Sequence, residues 1–538
     1  MIIKFQKTAL KIFKENKEID FNINKDINIL EIRNEFNTTI ETLSLKHNSL
    51  AYWTMRLSER NTLFHNLFLD ICYIRLLEKF NKEDLVIYTD NISLYLYYKK
   101  NAEINFNDKL QFEFKKLKRS YKPYISTFIF LLKKLYLKIK YIDKKYKKPL
   151  SNTIIIQTWV SDNNFKNNSF YDSYYADLAS YLKNNGHKVL TWPILYNVTN
   201  KKKVIKYLRS NADDFLIIED YLHNSDYFEA IKHFLQKRFL NFNTILVGDF
   251  NVSSLFQQYQ KEESIEMVSL FFSFTKRLKQ GNNTNITFIQ HYENMIGEKA
   301  LILGVKKYLP HSKVIGYFHS TKPKNLLCLD YAGDDEYKRA PKPNIIIFNS
   351  NVYKKYYQNK YKSFLHLYTG TAFKQRYLKN ISHSKKQKTE KILVLFSGTI
   401  SEISLMFEWL NAIKENYFFI FRMHPLNNFK IKEFYEKNNY EVVNDIDLNL
   451  LFMQVNKVIS TYSSVALESV LNGLKVGLLY NKKQLLLNPF DDTDIQNYQL
   501  ISNIKELELF LDSEYKNQNI KQIFNFDKEE YKIFLELI

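Results

Sequence analysis

Phe419-Ile420-Phe421-Arg422-Met423-His424-Pro425 is the stretch from which the fold can be read. Its apolar residues run on without alternation, the pattern of a strand covered on both faces, as in a parallel sheet packed between helices. The run then ends in Arg422 and His424, delivered to the carboxyl end of the strand, where open α/β sheets bind their ligands. Working outward, the pattern recurs. Ile392-Leu393-Val394-Leu395-Phe396 leads into Ser397-Gly398-Thr399, and Val458-Ile459-Ser460 leads into Thr461-Tyr462-Ser463-Ser464-Val465-Ala466-Leu467-Glu468, with Val476-Gly477-Leu478-Leu479 beyond. Each apolar run is followed by a helical pattern, which is the alternation of a doubly wound α/β domain.

A second series of such runs lies upstream. It comprises Leu85–Tyr88, Thr153–Gln157, Phe215–Ile218, Ile286–Ile289, Val314–Phe318 and Ile345–Phe348. A polar, Lys-rich stretch from His383 to Lys391 separates the two series and reads as a linker. The expectation is an α/β protein of two Rossmann-like domains facing a cleft, residues 1–382 and 383–538, with the last helix free to cross back.

The chain has 538 residues, with 78 Lys and Arg against 57 Asp and Glu, for a formal charge of +21. Forty-two Phe and 39 Tyr exclude a disordered chain, and two cysteines, Cys72 and Cys328, exclude a disulfide framework or a Cys-rich zinc site. Heavy use of Lys, Asn and Ile with only 11 Gly is also what an AT-rich genome yields, so part of the charge is compositional. No apolar leader core and no membrane-length apolar segment occurs, which makes a cytoplasmic protein the default expectation. The charge is also local. Residues 115–148 hold thirteen basic residues and one acid, Asp143, giving +12 of the total. There Ile125, Phe128, Ile129, Leu132, Leu135, Tyr136, Ile139 and Ile142 fall on one helical stripe, with lysines largely outside it. Such a basic amphipathic helix, expected as an insertion in the N-terminal domain, suits an anionic membrane surface or a core-packing helix with a solvated lysine face.

Three strand ends of the C-terminal series carry anion-binding chemistry. Arg422 can hold a phosphate bidentately and His424 can donate to one. Ser463 or Ser464 caps the next helix, whose first-turn amides and dipole attract an anion, and Gly398 beside Ser397 permits close backbone approach. Glu468 lies one turn into that helix, facing a ribose or solvent. In the N-terminal series Glu293 follows the strand ending near Ile289 and can act as a general base or a nucleophile, or cap the helix that follows. His319 closes the strand Val314–Phe318 and is placed to touch substrate, leaving phosphate or only its structural neighbours. Asp162 and Asp249 are further acids near strand ends. No His-Glu-x-x-His arrangement occurs, and Asp445-Ile446-Asp447 reads as a helix start, so no metal and no cofactor beyond a donor substrate is expected.

His424-Pro425 followed by Ser463-Ser464 resembles the HP and SS motifs of GT-B glycosyltransferases that use CMP-activated acidic sugars. A wider likeness to bacterial surface carbohydrate biosynthesis proteins rests on five stretches, in order. They are Tyr52-Trp53-Thr54-Met55 with Glu59-Arg60-Asn61-Thr62, Gln157-Thr158-Trp159-Val160, Tyr292-Glu293-Asn294, Glu298-Lys299-Ala300, and Gly316-Tyr317-Phe318-His319. The resemblance implies that His424, Ser463 and Ser464 contact a nucleotide phosphate. It also implies transfer of a Kdo-like or sialic-acid-like sugar from a CMP donor to a glycan or glycolipid acceptor. A transferase of the same fold using a UDP-sugar, a GDP-sugar or CDP-glycerol is the alternative. A non-catalytic membrane-binding or nucleic-acid-binding protein is the second, the latter disfavoured because no nucleic-acid module is visible.

Overall fold

The computed structural model describes residues 1–538 except 9, 100–103, 142–146, 148, 167–168, 265–267, 280–283, 362–365, 381–389, 397–399, 415–416, 425–429, 445, 515–522 and 527–530. Ser397, Gly398, Pro425 and most of the expected linker therefore lie outside the described residues, as do Ile142 and several lysines of the basic segment.

Two parallel six-stranded sheets form the body of the molecule. In the C-terminal one the spatial order is Tyr440–Val442, Phe418–Arg422, Lys391–Leu395, Lys457–Ser460, Lys475–Leu479 and Tyr498–Ile501. In chain order that is 3-2-1-4-5-6, the Rossmann order, with its switch point between Lys391–Leu395 and Lys457–Ser460. The upstream sheet runs Leu367–Thr369, Ile345–Phe348, Lys313–Phe318, Ile286–His291, Thr153–Ser161 and Lys188–Asn197, all parallel. The two sheets are those of a pair of Rossmann-like α/β units. The apolar runs lack alternation because each sheet is covered twice. Ile392 and Val394 enter one core and Leu393 and Leu395 the other, and Ile155 and Phe288 pack opposite Ile154, Ile156 and Ile289.

Three expectations are corrected. The run Phe215–Ile218 is not a full strand. It makes a single parallel bridge, Phe215 to Thr191, and passes into a 3-10 turn at Ile218–Asp220. Leu85–Thr89 does not join the parallel series either. It pairs with Ile2–Phe5 and Lys11–Lys14 in a separate five-stranded mixed sheet, so residues 1–382 hold two sheets. Finally, the basic helix spans Lys109–Tyr141 and joins that first sheet to the strand Thr153–Ser161; it connects two units and is not inserted in one.

The pieces are tied together by burial. The C-terminal helix Lys532–Leu537 sets Phe534 into the core of the upstream parallel sheet beside Tyr317 and Phe373, and Lys313 Nζ donates to the Ile538 carbonyl. Gly316, within its strand, lies against Tyr292 and Pro343, where a Cβ would crowd the Tyr292 Cβ at 2.9 Å, so packing explains this glycine. The helices Val268–Leu278 and Ile296–Tyr308 approach closely because Gly304 has no side chain. A Cβ there would collide with Thr275 Oγ1 and lie 3.1 Å from the Phe272 carbonyl. Gly304→Val is therefore expected to destabilise the fold by about 1–3 kcal/mol through overpacking. Urea denaturation should show a lowered midpoint with an unchanged slope.

Candidate functional site

The strand Ile286–His291 is fully buried and ends at Tyr292-Glu293-Asn294. Asn294 takes a left-handed conformation (φ 57°), which an Asn tolerates, and its Nδ2 donates to the Cys328 carbonyl at 3.0 Å. This turns the chain into the helix Ile296–Tyr308 with Glu293 at the bend. The capping role belongs to Glu298 instead. Its carboxylate accepts from the Glu293 amide at 3.0 Å and from the Met295 amide at 3.3 Å. Glu59, from a distant part of the chain, accepts from the Ile296 amide at 3.3 Å. Lys299 reaches back to the Ser58 carbonyl at 2.8 Å and stands over the Trp53 ring. The stretches around Trp53, Glu59 and Glu293 thus meet at one place.

Glu293 and His319 come together, Oε1 to Nε2 at 3.8 Å. On the other side of the ring, His319 Nδ1 lies 3.3 Å from His291 Nδ1. Burial pushes the Glu293 carboxyl up to about 7, with Lys374 pulling it down and Glu59 adding to the rise. Burial also lowers His319 well below its ordinary value and takes His291 down to about 3, so both imidazoles are neutral near pH 7. Tyr174 packs edge-on to both histidines. The group that composition and motif did not reveal is Lys374. Exposed beside Tyr174, it acts electrostatically on Glu293, His291, His319 and, from the other domain, His424. It sits in a 3-10 turn, Phe373–Asn380, where no periodic signal marks a residue for function.

On the C-terminal side His424 is half-buried, and its pKa is lowered by burial and by Lys374. Arg422 Nη1 donates to the Ile446 carbonyl at the strand end. Ser463 is the N-cap of the helix Ser464–Leu471, its Oγ accepting from the Val465 amide at 3.3 Å, so the capping position falls to the first serine of the pair. Tyr462, beside it, lies within electrostatic reach of Glu293 and packs against the core of the N-terminal half. Glu468 does not face solvent. It is buried, and Gln375 Nε2 donates to its Oε1 at 3.4 Å while also reaching the His319 carbonyl at 3.5 Å. Gln375 thus links the two walls of the cleft. Asp162 and Asp249 do not join the site; Asp162 accepts from the Thr199 amide and hydroxyl elsewhere. Asp447 caps the helix Leu448–Gln454, and Asp445 lies outside the described residues. Among the described residues no group of three or more His, Cys, Asp or Glu is placed to hold a metal ion.

The raised Glu293 carboxyl has a consequence for stability. Between its unfolded value near 4.5 and its folded value near 7 the native state holds a proton that the unfolded chain has released, so stability falls as pH rises through that window. Glu293→Gln removes the penalty. The variant should match the parent at about pH 5 and exceed it by about 1–3 kcal/mol at about pH 8 in denaturant titrations.

Residues 397–471 match the model of the family described as CDP-Glycerol:Poly(glycerophosphate) glycerophosphotransferase. No curated protein matches the chain. Among solved structures the chain is similar to the UDP-GlcNAc 2-epimerase of Methanocaldococcus jannaschii, at 10% identity and a TM-score of 0.37 over 72% of this chain and 99% of that one. It is similar to the glycosyltransferase SnogD of Streptomyces nogalater, at 11% identity and a TM-score of 0.34 over 67% and 91%. It is also similar to the wall teichoic acid polymerase TagF, at 11% identity and a TM-score of 0.30 over 79% and 90%. These scores lend no functional weight. The matched family segment is the one that carries Arg422, His424, Ser463, Ser464 and Glu468.

Proposed function

We propose that the protein is a transferase of surface-polymer biosynthesis that takes its donor group from a cytidine diphosphate alcohol of the CDP-glycerol type. The observation that carries this reading is the family match over 397–471, because that segment contains both phosphate-competent strand ends of the C-terminal sheet. It favours the CDP-glycerol alternative over the CMP-activated acidic sugar. Both donors release CMP, so a cytidine-nucleotide cleft with a phosphate-facing helix N-terminus suits either.

In this reading the nucleotide lies at the switch point of the C-terminal sheet, with its phosphates facing His424 and the amides that follow Ser463. Lys374, reaching both walls, adds positive charge where the bridging phosphates would lie. An acceptor hydroxyl attacks the phosphorus that carries the glycerol. The bond between that phosphorus and the bridging oxygen breaks, and CMP departs with the electron pair. The hydroxyl proton goes to neutral His319 at Nε2, and Glu293, ionised above about pH 7, steadies the imidazolium across 3.8 Å.

Two measurements test this. Thermal shift with CDP, CMP, UDP and GDP should show stabilisation by the cytidine nucleotides only; stabilisation by UDP or GDP alone would sink the donor class. With CDP-glycerol and a glycerol phosphate oligomer, CMP release should be seen and should fall about 10²–10⁴-fold in His319→Gln, with folding retained. Release of CMP from a CMP-sugar, and not from CDP-glycerol, would return the donor to the acidic sugars.

A further inference from the structure

The helix Lys109–Tyr141 is 33 residues long, about 50 Å. Its inner face, Phe112, Pro123, Thr127 and Lys134, is buried, and it is pinned to the body by the ion pairs Arg119–Glu262 and Lys134–Glu219. The outer face is the opposite of what a core-packing helix presents. Phe114, Leu117, Ile125, Phe128, Leu132 and Ile139, at intervals of three, four, seven or eight residues that return to one stripe, are 49–87% exposed. The helix Asn224–Arg238 packs alongside, with the Tyr124 and Phe234 rings 5.5 Å apart and Lys138 donating to Asn224. Its own outward residues, Phe228 and Leu235, continue into Phe239, and all three are 43–83% exposed. Two adjacent helices therefore present apolar stripes side by side. A contiguous apolar face of this extent is what soluble surfaces avoid unless something covers it. Lys118, Lys122, Lys133 and Lys140 fall along one edge of the long stripe, and Lys232 stands on the second helix; all five are exposed.

We infer that these two helices form a docking face for an anionic phospholipid membrane, lying in the plane of the headgroups with the aromatic and aliphatic side chains inserted. The charge pattern selects this occupant. Exposed lysines beside a wide apolar stripe match a bilayer that is apolar beneath and negative at its surface, each basic side chain adding favourable energy there. No helix among the described residues is long and apolar enough to cross a membrane, so the attachment is peripheral. The inference is independent of the donor chemistry.

Sedimentation of the full chain with vesicles tests it. The protein should pellet with phosphatidylcholine vesicles containing about one third phosphatidylglycerol, weakly with phosphatidylcholine alone, and less as salt rises. Phe128→Ser combined with Leu132→Ser should weaken partitioning about tenfold or more, since each removes a large exposed apolar group. A second variant, Lys118, Lys122, Lys133 and Lys140 all to Gln, should lose the preference for anionic vesicles while its melting temperature stays that of the parent. Absence of binding to anionic vesicles overturns the inference, as does binding that neither variant alters. A concentration-dependent dimer that the Phe128 and Leu132 substitutions dissolve, and that vesicles do not compete away, would assign the face to a second copy of the chain and overturn it equally.

Discussion

The buried N-terminus of the helix Ile296–Tyr308 is the constraint around which the site is organised. Its first amides have no helical partners and are shut away from water, where each unmet donor would cost about 1–3 kcal/mol. Two carboxylates meet them, Glu298 from the helix itself and Glu59 from the N-terminal unit. Glu59 is in turn held by Arg56, whose amide donates to Glu263, and Glu263 pairs with Lys237. Beside them Arg60 and Glu336 form a fully buried ion pair, 3.0 Å apart. Arrangements of this kind are costly to break once formed, because each removed partner leaves a desolvated charge. They fix the bend at Glu293 relative to three separate parts of the chain.

The same arrangement sets the chemistry. A carboxyl placed in a buried site near Glu59 resists ionisation, which is how Glu293 reaches a value near neutrality. Its neighbours His291 and His319 are pushed the other way by the same burial, since desolvation disfavours the charged form of either kind of group. Environment thus brings together a carboxyl that titrates near pH 7 and an imidazole that is neutral there, the combination proton transfer needs. Lys374, on the cleft side, offsets part of the cost of charging Glu293 and extends the positive field toward His424.

Much of this was legible in the residues. Continuous apolar runs followed by helical patterns revealed two parallel sheets, and the polar residues that follow those runs, Glu293, His319, His424 and Ser463, stand just past the carboxyl ends of their strands. The short stretches around Trp53, Glu59 and Lys299, far apart in the chain, carry one structural meaning: they contact one another and hold the helix behind Glu293. Lys374 and Gln375 were not legible, because they lie in a 3-10 turn whose position between the walls depends on how the two domains pack. Nor was the separate N-terminal sheet, since Leu85–Thr89 has the same apolar character as strands that pair elsewhere.

By itself the sequence determined most of the strands and helices, because side-chain periodicity and composition act locally, though not the turn at Ile218–Asp220, and it marked polar residues at the strand ends in the same way. Only the tertiary structure decided which strands share a sheet, whether Glu468 meets solvent or Gln375, and which face of the long basic helix is left uncovered. Those outcomes depend on contacts between residues far apart in the chain, where burial and charge are shared among several elements and belong to no single one of them.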